Sequence, residues 1–318
     1  MNPLHEQPEM FRDALALTRQ RTGFAERLIE KDYFCTVLLE YLASASEELV
    51  FKGGTCLAKV HADFYRLSED LDFVIPVPAD APRSQRSKKA LPLKEALVAL
   101  PERRPVFRLV EPLAGANNST QYNAEVGYKS LASGREDTIK VEIGLREPLL
   151  LAASNGLAQT LLLDPVSRSA LLKPLVLRCI AKPEAFAEKF RAALSRREVA
   201  PRDFFDLDYA VRKLGLQPDD EELVQLVRQK LAVACNAPAD VSEERLRELR
   251  QKVEPQLRPV LRPRDFAEFD LPRAFRLVAD MAMKVSCIMI TEEVPGDHRR
   301  LQPREGPCHD RRNLRPAG

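Results

Sequence analysis

The sequence predicts an α+β fold, a mixed β-sheet domain with flanking helices followed by an α-helical domain. Three observations carry that reading. Short apolar segments with period-two alternation lie between turn-forming stretches from about Glu48 to Leu145. Helix-period segments precede and interrupt them. From about Asp164 onward only helix-period segments are expected. The corresponding organisation is 1–160 for the sheet domain with its N-terminal helices, 161–290 for the helical domain and 291–318 for a disordered basic tail.

The elements follow in order. Phe24 to Leu42 places Leu28, Ile29, Tyr33, Val37, Leu38 and Tyr41 near a 3.6-residue period, a helix. "ELVFKGG" gives a short strand and a glycine turn, and "TCLAKVHADFY" a helix with Leu57, Val60 and Phe64 on one face. "DLDFVIPV" is a second strand, stopped by Pro76 and Pro78. Pro82 to Leu100, rich in Lys, Leu and Ala, reads as a solvent-exposed helix. "PVFRLVEPL", "TQYNAEVGYKSL" and "DTIKVEIGL" are three strands separated by polar turns, as in an antiparallel meander. The second domain is expected to hold helices over Pro183–Arg197, Pro201–Leu214, Glu221–Cys235, Val241–Val253 and Leu271 to about Ile288.

Composition narrows the class. The 318 residues are 45% hydrophobic and 30% charged, which fits a globular protein with a sizeable core. No apolar run is long enough to span a bilayer, and the N-terminal stretch lacks the apolar segment of a signal peptide. Six cysteines are scattered without a CxxC, so neither a zinc site nor a disulfide framework is expected, and a cytoplasmic setting is the simplest. The net charge is +2. Gly296–Gly318 carries six arginines against Asp297, Glu305 and Asp310, a net +3, so the remainder is near −1. That tail is too polar to offset its ordering entropy and serves as a solubilising segment or a nucleic-acid contact.

The chemistry gathers in "FKGGTCLAKVHADFYRLSEDLDFVI". Alternate residues of a strand share a face, so Asp70 and Asp72 point the same way while Leu71, Phe73 and Ile75 point to the core. Adjacent carboxylates repel unless one is protonated or a cation lies between them, and a hard divalent ion such as Mg²⁺ prefers such oxygens. In "TIKVEIG" the same alternation separates Lys140 and Glu142 from Ile139, Val141 and Ile143. If the two strands are neighbours, Glu142 completes a three-carboxylate metal set with Asp70 and Asp72. Gly53 and Gly54 permit close backbone approach, and Thr55 opens a helix whose free N–H groups attract phosphate. Taken alone, an Asp-x-Asp is more often a solvent-facing strand and a Gly-Gly-Thr a turn and cap. Ser68 is open to three readings: a capping hydroxyl, a phosphate ligand, or a point of self-modification that would add negative charge beside the acids. His61 reads as a partly exposed helix residue, and His5, His298 and His309 have no evident partners, so histidine chemistry is not expected.

The order of strand, Gly-Gly-Thr turn, helix, Asp-x-Asp strand and a later acidic strand resembles the nucleotidyltransferase superfold that includes DNA polymerase β. "EKDYF", "FKGGTCLAKV", "RLSEDLDF", "IKVEI" and "PEAFAEKFRAALSRREVAPRDFFDLDYA" in this order resemble the AbiEii/AbiGii toxin family, which includes the MenT toxins. The resemblance spans about 30 to 210. It implies a metal-dependent enzyme that transfers a nucleotidyl group from a nucleoside triphosphate with Mg²⁺ or Mn²⁺. In several members the acceptor is the 3′ end of tRNA, and the toxin is paired with a cognate antitoxin in a type IV-like toxin–antitoxin or abortive-infection system. It also gives weight to the second motif block: Lys189 and Arg202 as phosphate ligands, and Asp203 or Asp206, neighbours at i and i+3, as acceptors of the attacking hydroxyl's proton. The alternative there is an ion network of Lys189 or Arg202 with Asp203 joining two helices. Two further functions stay open: transfer to a protein or to a small molecule such as an aminoglycoside, and a non-catalytic binding module on the same fold. The intact acid set argues against the last.

Overall fold

The computed structural model describes residues 4–233 and 236–287. The predicted basic tail and the end of the last helix at Ile288 lie outside the described residues. Two N-terminal helices, α1 (Pro8–Thr22) and α2 (Glu26–Ala43), lead into strand β1 (Val50–Lys52), the short helix α3 (Gly53–Cys56) and strand β2 (Leu71–Val74). Helix α4 (Arg83–Arg103) then precedes β3 (Phe107–Ala116), β4 (Gln121–Lys129) and β5 (Glu136–Gly144). The sheet is completed by β6 (Ser154–Ala158) and β7 (Leu175–Cys179). Helices α5 (Lys182–Ser195), α6 (Pro201–Lys213), α7 (Glu221–Ala232), α8 (Glu243–Lys252), α9 (Pro263–Glu268) and α10 (Leu271–Cys287) follow.

The seven strands form one mixed sheet in the order β3-β4-β5-β2-β1-β7-β6. β2 runs parallel to β5 and β1 parallel to β7, while the other pairs are antiparallel. The α+β class and the meander are therefore as predicted. Alternation decides which face each side chain takes. Ile139, Val141 and Ile143 of β5 and Leu71 and Phe73 of β2 are buried in the core. Their in-between neighbours, Asp72 and Glu142, are register partners across β2 and β5. Lys52 of β1 pairs in register with Asp72, so Lys52, Asp72 and Glu142 form one cross-strand row opposite the core. No helix among the described residues is long and apolar enough to cross a membrane.

Three expectations are corrected. A strand does lie beyond Asp164: β7 pairs with β1 and β6. "PLVLRC" is a brief apolar run without a clear period, and such a run is not distinguishable from helix by pattern. α4 is not simply solvent-exposed, because Ala90, Leu93, Leu97 and Leu100 are fully buried. Their spacing of three and four is an apolar stripe among lysines and arginines. Finally, the helix begun at the glycine turn does not run through to Tyr65. It widens into a π-type turn at Leu57–His61 and ends where Asp63 and Phe64 take left-handed φ values of 46° and 52°. The Phe64 amide closes the turn on the Ala58 carbonyl at 2.9 Å. This reversal delivers Arg66 and Ser68 to the end of β2.

Candidate active site

The glycine turn is shaped by its neighbours. Gly53 has φ +75°, a conformation L side chains rarely adopt. A Cβ there would sit 2.1 Å from Asp72 Oδ2, so only glycine lets the chain pass this carboxylate. A Cβ on Gly54 would meet Arg66 Nη2 at 2.7 Å and Ser68 Oγ at 3.0 Å. The backbone at both glycines is thus bare where it borders a cleft of about 210 Å³. Asp72 of β2 and Glu142 of β5 line that cleft from the sheet, Gly53 and Gly54 from α3, Ser68 and Asp70 from the segment just before β2, where Asp70 lies outside the strand it was expected to share with Asp72, and Lys189, Arg202 and Asp203 from α5 and α6. Residues more than a hundred positions apart therefore meet in one place.

Thr55 and Asp206 are not brought to the cleft wall. Thr55 is buried, and its hydroxyl donates to the Asp70 carbonyl, so it fixes the acid's backbone instead of presenting a hydroxyl to phosphate. Asp206 is also buried. Both its oxygens are held by Arg66, Nη2 donating at 2.8 Å, and Lys189 approaches at 2.8 Å. Lys189 also donates to Asp203 at 2.9 Å, and Arg196 lies 3.2 Å from the other Asp203 oxygen. The helix-joining ion network is real, and it extends through Arg66 to the loop before β2. Lys189 nevertheless lines the cleft, so this ion network borders the cleft directly.

Charge state follows from these partners. Burial raises the Asp72 carboxyl, Glu142 and Asp70 raise it further, and Lys52 and Lys189 only partly oppose them, leaving it at about 6. Asp203 goes the other way: against the cost of burial, Lys189 and Arg196 hold it below the usual carboxylate range. Arg66 and Lys189 do the same for Asp206. Glu188, despite burial, is drawn down to about 2 by Lys52, Lys230 and Arg191. The sheet side of the cleft is thus an unrelieved acid cluster, and the helix side is a set of cations around firmly ionised carboxylates.

The residues Lys52, Arg66, Glu188 and Arg191 also line the cleft, and sequence reasoning assigned them no role. Lys52 donates to Glu188 at 3.0 Å, tying β1 to α5. The only sequence signal for Arg66 was its place at the head of "RLSEDLDF". The motif "EKDYF" is explained by burial: Glu30 accepts from the Leu131 amide and the Ser130 hydroxyl, both at 2.6 Å. Asp32 accepts from Lys59 at 2.6 Å and from the Leu161 amide at 2.9 Å. Lys59 belongs to the turn that follows the glycines, so α2 anchors that turn through a buried ion pair. His61 contacts the Ile180 carbonyl at 3.1 Å, and His5, expected to lack a partner, meets the Tyr33 hydroxyl at 2.8 Å.

Comparison with known proteins bears on this geometry. The model of the AbiEii family, a nucleotidyl transferase toxin of a type IV toxin–antitoxin system, matches residues 37–278. The chain belongs to this family. Among solved structures, JHP933 from Helicobacter pylori is 16% identical, covers 85% of this chain and 96% of its own, and has a TM-score of 0.49. MenT4, a nucleotidyltransferase toxin from Mycobacterium tuberculosis, is 18% identical, covers 85% of this chain and 98% of its own, and has a TM-score of 0.45. No curated protein matches.

AbiEii nucleotidyltransferases generally use a nucleoside triphosphate and a divalent metal. Among the described residues, no three His, Cys, Asp or Glu side chains already converge on one point for an ion. The donor chemistry still fits. Asp72 sits where Glu142 and Asp70 repel its charge, and carboxylate oxygens are the donors that a hard divalent cation takes.

Proposed function

We propose that this AbiEii chain transfers a nucleotidyl group from a nucleoside triphosphate to an acceptor, the 3′ end of tRNA, and acts as the toxin partner of a cognate antitoxin. The observation that supports this most is the division of the cleft: Asp70, Asp72 and Glu142 on the sheet side, and Lys189, Arg202 and Asp203 on the helix side. Asp70, Asp72 and Glu142 would hold Mg²⁺ or Mn²⁺. Such an ion supplies charge stabilisation to the phosphoryl oxygens. Gly53 and Gly54 let the triphosphate approach the backbone, and Ser68, whose hydroxyl has no side-chain partner among the described residues, borders the same space. Lys189 and Arg202 draw the triphosphate's negative charge to the α5–α6 wall and orient it. Asp203 faces the acceptor hydroxyl with a carboxylate whose oxygens are held by Lys189 at 2.9 Å and Arg196 at 3.2 Å. Its depressed pKa keeps it ionised and makes it a weak base, so its part is to orient that hydroxyl and accept its hydrogen bond. Asp206 and Thr55 position Lys189, Arg66 and Asp70. The buried free thiols Cys35, Cys56 and Cys179 fit a reducing cytoplasm.

The test is direct. The purified protein is incubated with each labelled triphosphate, Mg²⁺ and total RNA, and induced in a bacterial host in parallel. Label on tRNA-sized RNA together with growth arrest supports the reading. Label on protein or on small molecules overturns the tRNA acceptor while leaving the transfer chemistry.

A further inference from the structure

The cleft's cations are not equally committed. Lys189 is held by Asp203 and Asp206, Lys52 by Glu188, Arg66 by Asp206, and Arg196 faces Asp203 at 3.2 Å. Arg202 and Arg191 alone among the cleft-lining cations form no ion pair among the described residues. Arg202 is exposed and solvated. Arg191 is not. Its Nε is buried and meets no acceptor, and its Nη1 has only the neutral Asn236 side chain at a long 3.4 Å. Glu188, one turn earlier, is already shared between Lys52 at 3.0 Å and Lys230 at 3.2 Å. Arg146 stands nearby, paired with Glu147 at 3.0 Å. Burial lowers the Arg191 pKa, Arg146 and Arg196 lower it further, and Glu188 and Glu147 do not make up the difference.

Arg191 is half-buried, and a guanidinium nitrogen buried without an acceptor is costly, a cost that an anionic ligand removes. Other arginines with an orphaned nitrogen differ: Arg86 and Arg245 each donate to backbone carbonyls, Arg228 bonds the Gln225 side chain at 2.6 Å, and none of the three lines the cleft. Resting on the nucleotidyltransferase reading, we propose that Arg191, with Arg202 beside it, is the anion receptor for the triphosphate of the incoming nucleotide. Lys189, Arg191, Arg196 and Arg202 line the cleft from α5, α6 and the loop between them, so the phosphate chain meets most of its positive charge on that wall. Arg191 lines the cleft of about 210 Å³, a space of the size for a slender polyphosphate, with its Nε still lacking an acceptor. A planar fork of donors also suits phosphate oxygens better than a point charge.

The experiment titrates the full chain with inorganic tripolyphosphate by calorimetry, for wild type, Arg191→Gln and Arg191→Lys, with melting curves of each. Arg191→Gln is expected to weaken tripolyphosphate binding about tenfold to a hundredfold, the range for loss of a charge-assisted hydrogen bond. Arg191→Lys is expected to fall between, and the melting temperature without ligand to hold or rise. Unchanged affinity in either folded variant overturns the proposal. So does a pattern in which tripolyphosphate affinity is kept and only the KM for RNA rises, which would assign Arg191 to the acceptor. Wild-type protein that binds tripolyphosphate through Arg191 yet labels no acceptor upholds this receptor and removes the transfer reading.

Discussion

Replacing Asp72 by asparagine should stabilise the metal-free protein while abolishing transfer. The carboxyl is raised from 3.8 to about 6 by burial and by the charges of Glu142 and Asp70. Two units correspond to about 3 kcal/mol at 1.36 kcal/mol per unit. The sign follows from linkage: the folded state holds this proton more tightly than the unfolded chain, so stability falls as pH rises from about 4 to about 6. Above that window the full penalty is present, and below about 4 it is nearly gone. Asparagine keeps the shape and carries no charge, so Asp72→Asn should gain up to about 3 kcal/mol at pH 7.5, or roughly 6–12 °C in melting temperature, and almost nothing at pH 4. The assay is thermal unfolding in EDTA at both pH values, alongside transfer of labelled triphosphate. Mg²⁺ with triphosphate should raise the melting temperature of wild type more than that of the variant. A variant that melts lower than wild type at pH 7.5, or that still transfers, would refute the repulsive metal-binding cluster.

Gly53→Ala would place a methyl 2.1 Å from Asp72 Oδ2 at a φ of +75°, so transfer should be lost even if the protein folds, as a labelling assay with a circular dichroism control would report. Asp206→Asn breaks a buried pair and leaves Arg66 under-compensated, which should cost about 3–5 kcal/mol of stability in urea unfolding and lower activity in parallel. Asp203→Asn should instead reduce kcat with triphosphate affinity changed less than tenfold, roughly, since this cleft-lining carboxylate is assigned to the acceptor hydroxyl. Equal losses in affinity and turnover would show that Asp203 merely holds Lys189.

The placing of several candidate residues was legible because strands and glycines write short-range rules. The two-residue period set Asp72 and Glu142 on one face, and only their adjacency had to wait for the parallel pairing of β2 and β5. The glycine pair announced a close approach, although its closest neighbour is the Asp72 carboxylate itself. What escaped the sequence is long-range. Arg66 meets Asp206 across 140 positions and Lys52 meets Glu188 across 136, and no local period encodes such pairings. Asp206 carried the same motif as Asp203, yet one helical step separates a carboxylate at the cleft from one sealed behind it. Thr55 was expected at a phosphate site because it opens the helix after the two glycines, but its side chain is buried with the hydroxyl on the Asp70 carbonyl. β6 and β7 were hidden by brevity: "SNGLA" reads as a turn, and "LVLRC" is too short to show a period.

The most direct measurement is the identity of the molecule that becomes labelled when the purified chain meets each α-labelled nucleoside triphosphate, Mg²⁺ and total RNA. Transfer chemistry at this cleft predicts label covalently attached to tRNA 3′ ends, dependent on added metal and absent from Asp70→Asn and Asp72→Asn variants that still fold. Label that persists in excess EDTA or in those two variants, or no labelled product from folded wild type with any of the four triphosphates, would contradict it.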